Sequence, residues 1–545
     1  MNRARLLLAA SACLLLVACS STDNNGPYTH SPFSEDGESP KTPPGERVAD
    51  LLREAKQQYD ERHYEASFRY AETAEDLIDE HKFDDVDRAM AITIQGYCLL
   101  QLGRVQDYFI STHGVQKGAL SKFRAVLGLN PDYFRAKLGV ALARFRLHGD
   151  SIRKAESLDQ GMIWIAQISE DARRGLAAPG TDEGRLRLRY ALQKHKVLAD
   201  NRAKMIELGF VFADPETAKF DDKGRRDGAK WLAGMDEGAE LKALKDCGYI
   251  LEDAAAGTKL KEGDPKRLAD SLKAIGESWR AARNYWRRTA LTDLQAARDG
   301  FLEIRKISPT YFWVERDLVY VYQSLGAFFL DLGMEQARLS AIAEGKLDDA
   351  LEETARRIFV SKGFTSREKD EAKKNYEDAL EFTLSFVARH EDFERKGIAR
   401  RDRDEFDDIN DNPFLVDLVQ RYRATMDELL AEERGMRATM LLEAASLCID
   451  PVFQLNDHAK AISIAARLKA LMPNNPVHHF VKATAYFTGK DYQPALDSYQ
   501  AFMKESSISE HTFQRGVARQ RILECEREIV AGPAKPDSED SSASR

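Results

Sequence analysis

The chain holds little of what covalent or metal chemistry needs. Its 545 residues include six cysteines, Cys13, Cys19, Cys98, Cys247, Cys448 and Cys525. They are widely separated and form no CxxC pair, so neither a zinc site nor a disulfide framework is implied. There is no GxSxG, no P-loop, no GxGxxG behind a strand and no HExxH. No Lys/Arg block stands out against the formal net charge of −9, which argues against a nucleic-acid footprint. Strand-like alternation long enough to build a sheet is missing, and the body has no apolar run of membrane-spanning length. What remains is 43% hydrophobic and 31% charged residues, which suits long helices with solvated outer faces. The chain is too long for one compact core, so several domains or one extended solenoid are the options.

Three constellations invite a chemical reading and none sustains it. Asp408, Asn410 and Asn412 have calcium-loop spacing, but Pro413 stands where that loop needs glycine and Val419 where it needs its bidentate glutamate. A solvated acidic linker is the better reading. His478 and His479 adjoin, so they do not share a helix face and cannot readily share a metal. Trp279, Arg283 and Trp286 fall at i, i+4 and i+7, which could place an arginine between two indoles to grip an anion. A core seam whose arginines extend to solvent is the commoner outcome. No cofactor is implied and an enzyme is not expected, although the poorly patterned middle leaves room for one.

The N-terminus sets the expected compartment. Arg3 and Arg5 precede an apolar core, Leu6 to Ala18, too short to cross a bilayer comfortably but of secretory length. It ends Leu16-Val17-Ala18-Cys19, which resembles the lipobox of bacterial lipoproteins. The resemblance implies removal of residues 1–18 as a signal peptide and acylation of Cys19. Ser20 and Ser21 follow where aspartate would favour the inner membrane, so the resemblance implies an outer-membrane lipoprotein facing the periplasm. Residues 19–45 are rich in Ser, Thr, Pro and Gly and cannot offset chain entropy by burial, which makes them a flexible tether.

The body is read from its C-terminal stretch, residues 459–503. Ala461 and Ala465 open an apolar helix ending near Leu471, and Pro473 and Pro476 break the chain. Phe480, Ala483 and Tyr486 mark a second helix. A turn at Gly489-Lys490-Asp491 leads to a third, carrying Tyr492, Ala495, Tyr499 and Phe502 on one stripe. This order resembles the tetratricopeptide repeat, whose period is roughly 34 residues. Similar landmarks occur at Gly96, Tyr97 and Leu99, with a stop at Leu102-Gly103 and an insertion over 104–114. They recur at Phe123 to Pro131, at Ala136, Gly139 and Leu142 up to a stop at His148-Gly149-Asp150, and at Ala297, Phe301 and Ile304. A helix from Trp313 to Leu332-Gly333 and second helices near Ala350 and Tyr376 complete the middle.

The expected fold is therefore all-α, an α-solenoid of degenerate tetratricopeptide-like helix pairs. Its parts are an N-terminal repeat block (46–150), a divergent helical region (151–290), central repeats (291–446), a C-terminal block (447–530) and a disordered tail (531–545). Pairs that cannot bury their own apolar stripe must stack, leaving a concave groove. The resemblance implies a groove that takes peptide or helix segments of envelope proteins, lined mainly from first helices, here by Arg135, His479 and Lys482. The function expected is a membrane-anchored scaffold or adaptor in envelope assembly. Its rivals are an accessory ligand-binding subunit of a transport or secretion system, and a hydrolase within 151–290.

Overall fold

The computed structural model describes residues 43–110, 114–178, 181–191, 193–194, 250–254, 257–261, 265–308, 313–343, 349–361, 363–395 and 423–531. The chain divides into two units, residues 1–50 and 51–545, and the first helix crosses that boundary. Fourteen helices are labelled here. They are α1 (Pro44–Asp60), α2 (Tyr64–His81), α3 (Asp85–Gln101), α4 (Ala119–Leu129), α5 (Phe134–Ala177), α6 (Pro265–Ile307), α7 (Trp313–Ala343), α8 (Asp349–Val360), α9 (Arg367–Arg395), α10 (Arg423–Ile449), α11 (His458–Leu471), α12 (Val477–Thr488), α13 (Tyr492–Glu505) and α14 (Thr512–Ala531). From α2 onward each helix packs on the next in chain order, except that α7 carries both α8 and α9. That nearest-neighbour order is the packing of an all-α solenoid.

Stacking depends on aromatic rings set against missing side chains. Phe123 of α4 lies between Gly96 of α3 and Gly139 of α5, its ring centre 5.0 Å from that of Tyr97 in an edge-to-face contact. A methyl group built on Gly139 would come within 2.4 Å of that ring, and one on Gly96 within 2.7 Å. The same device recurs where Tyr376 of α9 meets Gly326 of α7, and where Phe359 of α8 meets Gly333. All three rings are fully buried. In the C-terminal block, Ala483, Ala495, Tyr499 and Phe502 form a smaller core of their own.

The central helices are much longer than a repeat helix. α5 and α6 have 44 and 43 residues, each about 65 Å at 1.5 Å per residue. Their cross-contacts run Lys137–Glu303, Arg144–Asp293, His148–Ala290 and Asp159–Arg283, one index rising as the other falls, so the pair is antiparallel. His148 Nδ1 is 3.0 Å from the Ala290 carbonyl, which can only accept, so that nitrogen carries a proton; burial lowers this histidine's pKa, against the pull of that hydrogen bond and of Asp293. The helix passes straight through His148-Gly149-Asp150, where the sequence pattern places a stop. α7 likewise runs ten residues past Gly333, to Ala343.

A part-buried charge cluster fixes the register of α5, α6 and α7. Arg283 Nη2 donates to Glu335 Oε1 at 2.6 Å, and Arg287 Nη1 to Glu335 Oε2 at 2.6 Å. Arg287 Nη2 also reaches Asp331 at 2.9 Å and Asp159 at 3.2 Å. Burial raises the Asp159 carboxyl pKa, only partly opposed by Arg287 and Arg283. Glu335 is also desolvated, yet hydrogen bonds and charge from the same two arginines leave its pKa lowered. A second buried acid, Glu315 of α7, is 1% exposed and meets Arg389 of α9 at 3.1 Å and Arg305 of α6 at 3.4 Å.

Short strands interrupt the helices twice. β1 (Tyr108–Ile110) and β2 (Gly114–Gln116) pair antiparallel in the expected insertion after α3, β2 running two residues past its expected end at 114. β3 (Ile250–Ala254) and β4 (Gly257–Lys261) form a second hairpin before α6. Three to five residues per strand escape an alternation search, yet suffice for a hairpin carried by a helical body. The remaining expectations for residues 1–42, including Cys19 and most of the tether, lie outside the described residues. So do the acidic linker expected around Asp408, Asn410 and Asn412, and residues 532–545.

Two predictions follow from this packing. Gly139→Ala should lower stability by about 1–3 kcal/mol through overpacking against Phe123. Gly128→Ala in α4, where a methyl meets nothing within 4 Å, should raise it by up to about 1 kcal/mol; urea midpoints of the two variants should move in opposite directions. Arg287→Met removes the 2.9 Å partner of Asp331 and leaves Asp159 and Glu335 with Arg283 alone, and should cost about 1–3 kcal/mol at neutral pH. In that variant Asp159, whose carboxyl pKa burial already raises, loses the largest charge opposing that rise, so its contribution to stability is lost as pH rises through its folded-state pKa. The gap to the unmodified chain should therefore narrow as pH falls from 7 towards 4, and a gap that widens would contradict this account.

Candidate functional site

The C-terminal block supplies the surface on which two of the three expected groove residues meet. Asp457 caps α11, its carboxylate accepting from the Lys460 amide at 2.9 Å. The chain then breaks at residues 472–476, where the Asn475 side chain accepts from the Val477 amide at 3.0 Å and starts α12. The turn into α13 is made by Lys490, which takes the left-handed backbone at φ 65° while Gly489 stays helical. These devices hold α12 between α11 and α13.

On α12, His479 and Lys482 lie at i and i+3 and therefore on one side of the helix, both half-buried. His479 Nε2 stands 3.3 Å from Glu505 Oε2 at the end of α13. Burial lowers the His479 pKa, and the adjacent His478 lowers it further against the pull of Glu505. The Lys482 ammonium lies 5.7 Å from the Tyr486 ring centre, one turn further along. His478 is buried and its Nδ1 donates to the Asn475 carbonyl at 2.8 Å, yet its ring lies only 4.1 Å from that of His479, so the two adjoining imidazoles are in contact where the sequence spacing sets them on different faces. Cation, imidazole and phenol ring thus form a row that can hold a carboxylate, a carbonyl or an aromatic side chain.

Arg135 belongs to another part of the helix order. It sits in the first turn of α5, whose neighbours are α3, α4 and α6. Its carbonyl accepts from the Tyr97 hydroxyl at 3.0 Å, so this residue ties α5 to α3 whatever its guanidinium does.

The Trp279, Arg283, Trp286 spacing yields a seam, not an anion grip. Trp279 is fully buried, and Lys154 of α5 stands 4.2 Å over the Trp286 ring. Both guanidiniums on this face, Arg283 and Arg287, are occupied by Asp159, Asp331 and Glu335. Those acids lie tens of residues away or more, so the sequence pattern offers the arginines and hides their partners.

One feature had no sequence signal beyond a proline-asparagine break. A surface depression of about 520 Å³ is formed by residues 472–476 together with Glu510 and His511. The His511 ring contacts Phe502 edge-on at 5.8 Å, joining the depression to the core of α12 to α14.

The thiols are placed for packing. Cys98 donates to Ser67 Oγ at 3.1 Å, and burial pushes the Cys448 thiol up to about 12. At neutral pH such a group is a thiol and a poor nucleophile. Among the described residues no group of three or more His, Cys, Asp or Glu is arranged to hold a metal ion, and no helix is long and apolar enough to cross a membrane.

No family model matches the chain, and no curated protein matches it. Among solved structures it is similar to the crystal structure of the P58(IPK) TPR domain, at 14% identity over 90% of this chain and 99% of that one, with a TM-score of 0.15. Yeast Tom70 matches at 11% identity over 89% and 97%, with a TM-score of 0.15. A monomeric mutant of IFIT1 with Gppp-AAAA matches at 13% identity over 83% and 80%, with a TM-score of 0.14. At such TM-scores the superpositions carry no weight, and the assignment of an all-α solenoid stands on the helix order and the ring-to-glycine contacts of this chain.

Proposed function

We propose that this chain is a membrane-anchored scaffold that holds protein partners, as peptides or single helices, along its helical repeats during assembly of a bacterial envelope. The observation that carries the reading is the α12 row. His479, Lys482 and Tyr486 are spaced for one helix face, retain partial exposure, and combine charge, hydrogen bonding and a ring. A nearest-neighbour stack covers each helix only where the next one leans on it, so such rows stay available to a guest. Arg135 on α5 is the corresponding candidate in the N-terminal block.

The anchor in this reading is Cys19, acylated after removal of residues 1–18 and joined to the body by the tether of residues 19–45. Several acyl chains hold a protein at a bilayer far more firmly than one. With Ser20 and Ser21 behind the cysteine, the outer membrane is the destination, with the body in the periplasm. The depression at residues 472–476 favours a second reading, an accessory subunit that delivers a small ligand. Thermal-shift screening against metabolites, polysaccharide fragments and metals separates the two.

Two outcomes are expected. A photo-crosslinker at position 486 in living cells should capture a defined protein, and adding Lys482→Glu to that chain should reduce capture about tenfold or more; a crosslinker that retrieves no protein would count against the scaffold. Cys19→Ala should abolish fatty-acid labelling and leave the chain uncleaved. Labelling that persists in that variant would remove the lipoprotein assignment.

A further inference from the structure

The last helix of a solenoid ordinarily presents a polar outer face, because nothing stacks on it. α14 does not. Its inner side, with Ala518 and Cys525 fully buried, packs on α13. Its outer side carries Phe513 at 67% exposure, Leu523 at 55% and Val530 at 87%. With Gly516, Gln520 and Arg527 these residues follow one another at steps of 3, 4, 3, 4 and 3, the spacing of a coiled-coil seam.

Gly516 is the second observation. It sits inside a helix, where glycine costs about 1 kcal/mol relative to alanine. A methyl group there would meet nothing within 4 Å in the chain itself, so no contact in the single copy requires it. Residues 532–545 read GPAKPDSEDSSASR and contain no apolar side chain larger than alanine or proline that would match the seam.

We propose that α14 is the contact surface for a second copy of this chain, packed antiparallel about a two-fold axis between Arg521 and Ile522. The arrangement is self-complementary. Phe513 meets Val530 of the second copy, Gln520 meets Leu523, and the stem of Arg527 lies across Gly516, where the absent side chain leaves room for it. Beside the seam, Arg519 faces Glu526 of the second copy, and by symmetry the pair occurs twice. Both residues are exposed, and among the described residues neither is ion-paired within the chain. A parallel arrangement would set Arg527 against its own copy, which is why the antiparallel one is chosen. The seam from Phe513 to Val530 is about 26 Å long, short for a permanent dimer, so the association is of micromolar strength.

Sedimentation equilibrium of the full chain in density-matched detergent tests this. The expected result is a dimer at tens of micromolar that dissociates on dilution. Leu523→Glu should raise the dissociation constant at least about tenfold with an unchanged helical spectrum. Arg519→Glu and Glu526→Arg should each weaken association, by roughly three- to tenfold, and the double swap should restore it. The restoration is specific to the antiparallel register, in which residues 519 and 526 face each other. A chain monomeric at every concentration overturns the proposal. So does a Leu523→Glu variant that still associates, or a double swap that fails to restore.

Discussion

The body of this protein depends on aromatic rings seated where a neighbouring helix has no side chain. Phe123 fills the space left by Gly96 and Gly139, Tyr376 that left by Gly326, and Phe359 that left by Gly333. Each glycine lets two helix backbones approach closely, and each ring then fills the cleft with apolar surface. The contact is steric before it is energetic, since a single methyl group on the glycine would occupy the ring's position. Successive helices are thereby locked in order, each leaning on the next.

Hydrophobic stripes alone would let the long central helices slide by a turn. Ion pairs remove that freedom. Arg283 and Arg287 on α6 reach acids on both α5 and α7, and Glu315 on α7 takes arginines from α6 and α9. A one-turn shift would leave buried charges without partners, which costs more than the apolar contacts regained. Packing therefore supplies stability along these helices, and charge decides their alignment.

The short pairs were legible in the sequence because glycine, aromatic and proline landmarks lie within one repeat of each other. The α3–α4 pair shows in landmarks such as Gly96, Tyr97 and Phe123, and the α11 to α13 run in Pro473, Pro476, Ala483 and Tyr499. The long helices were not legible. Gly149 looks like a stop, but a glycine inside a helix costs only about 1 kcal/mol, and packing along α6 outweighs it. The turn after α12 was placed correctly, yet its strained residue is Lys490 and not the neighbouring glycine. Of the candidate site, the α12 row was visible as His479 and Lys482. The occupation of Arg283 and Arg287 was not, because it depends on Asp159, Asp331 and Glu335 brought in from two other helices. The two hairpins were too short for their alternation to register.

The pairing of α5 with α6 has a kinetic meaning. Lys137 and Glu303 touch across a separation of 166 residues, whereas most other helices meet partners close by in the chain. Joining them means closing a long loop before any contact rewards it, and loop entropy rises with the logarithm of its length. The segments on either side can reach their own local structure first, since near-neighbour contacts form quickly. Closure of this one antiparallel pair therefore carries the largest loop-entropy cost among the described helix pairs.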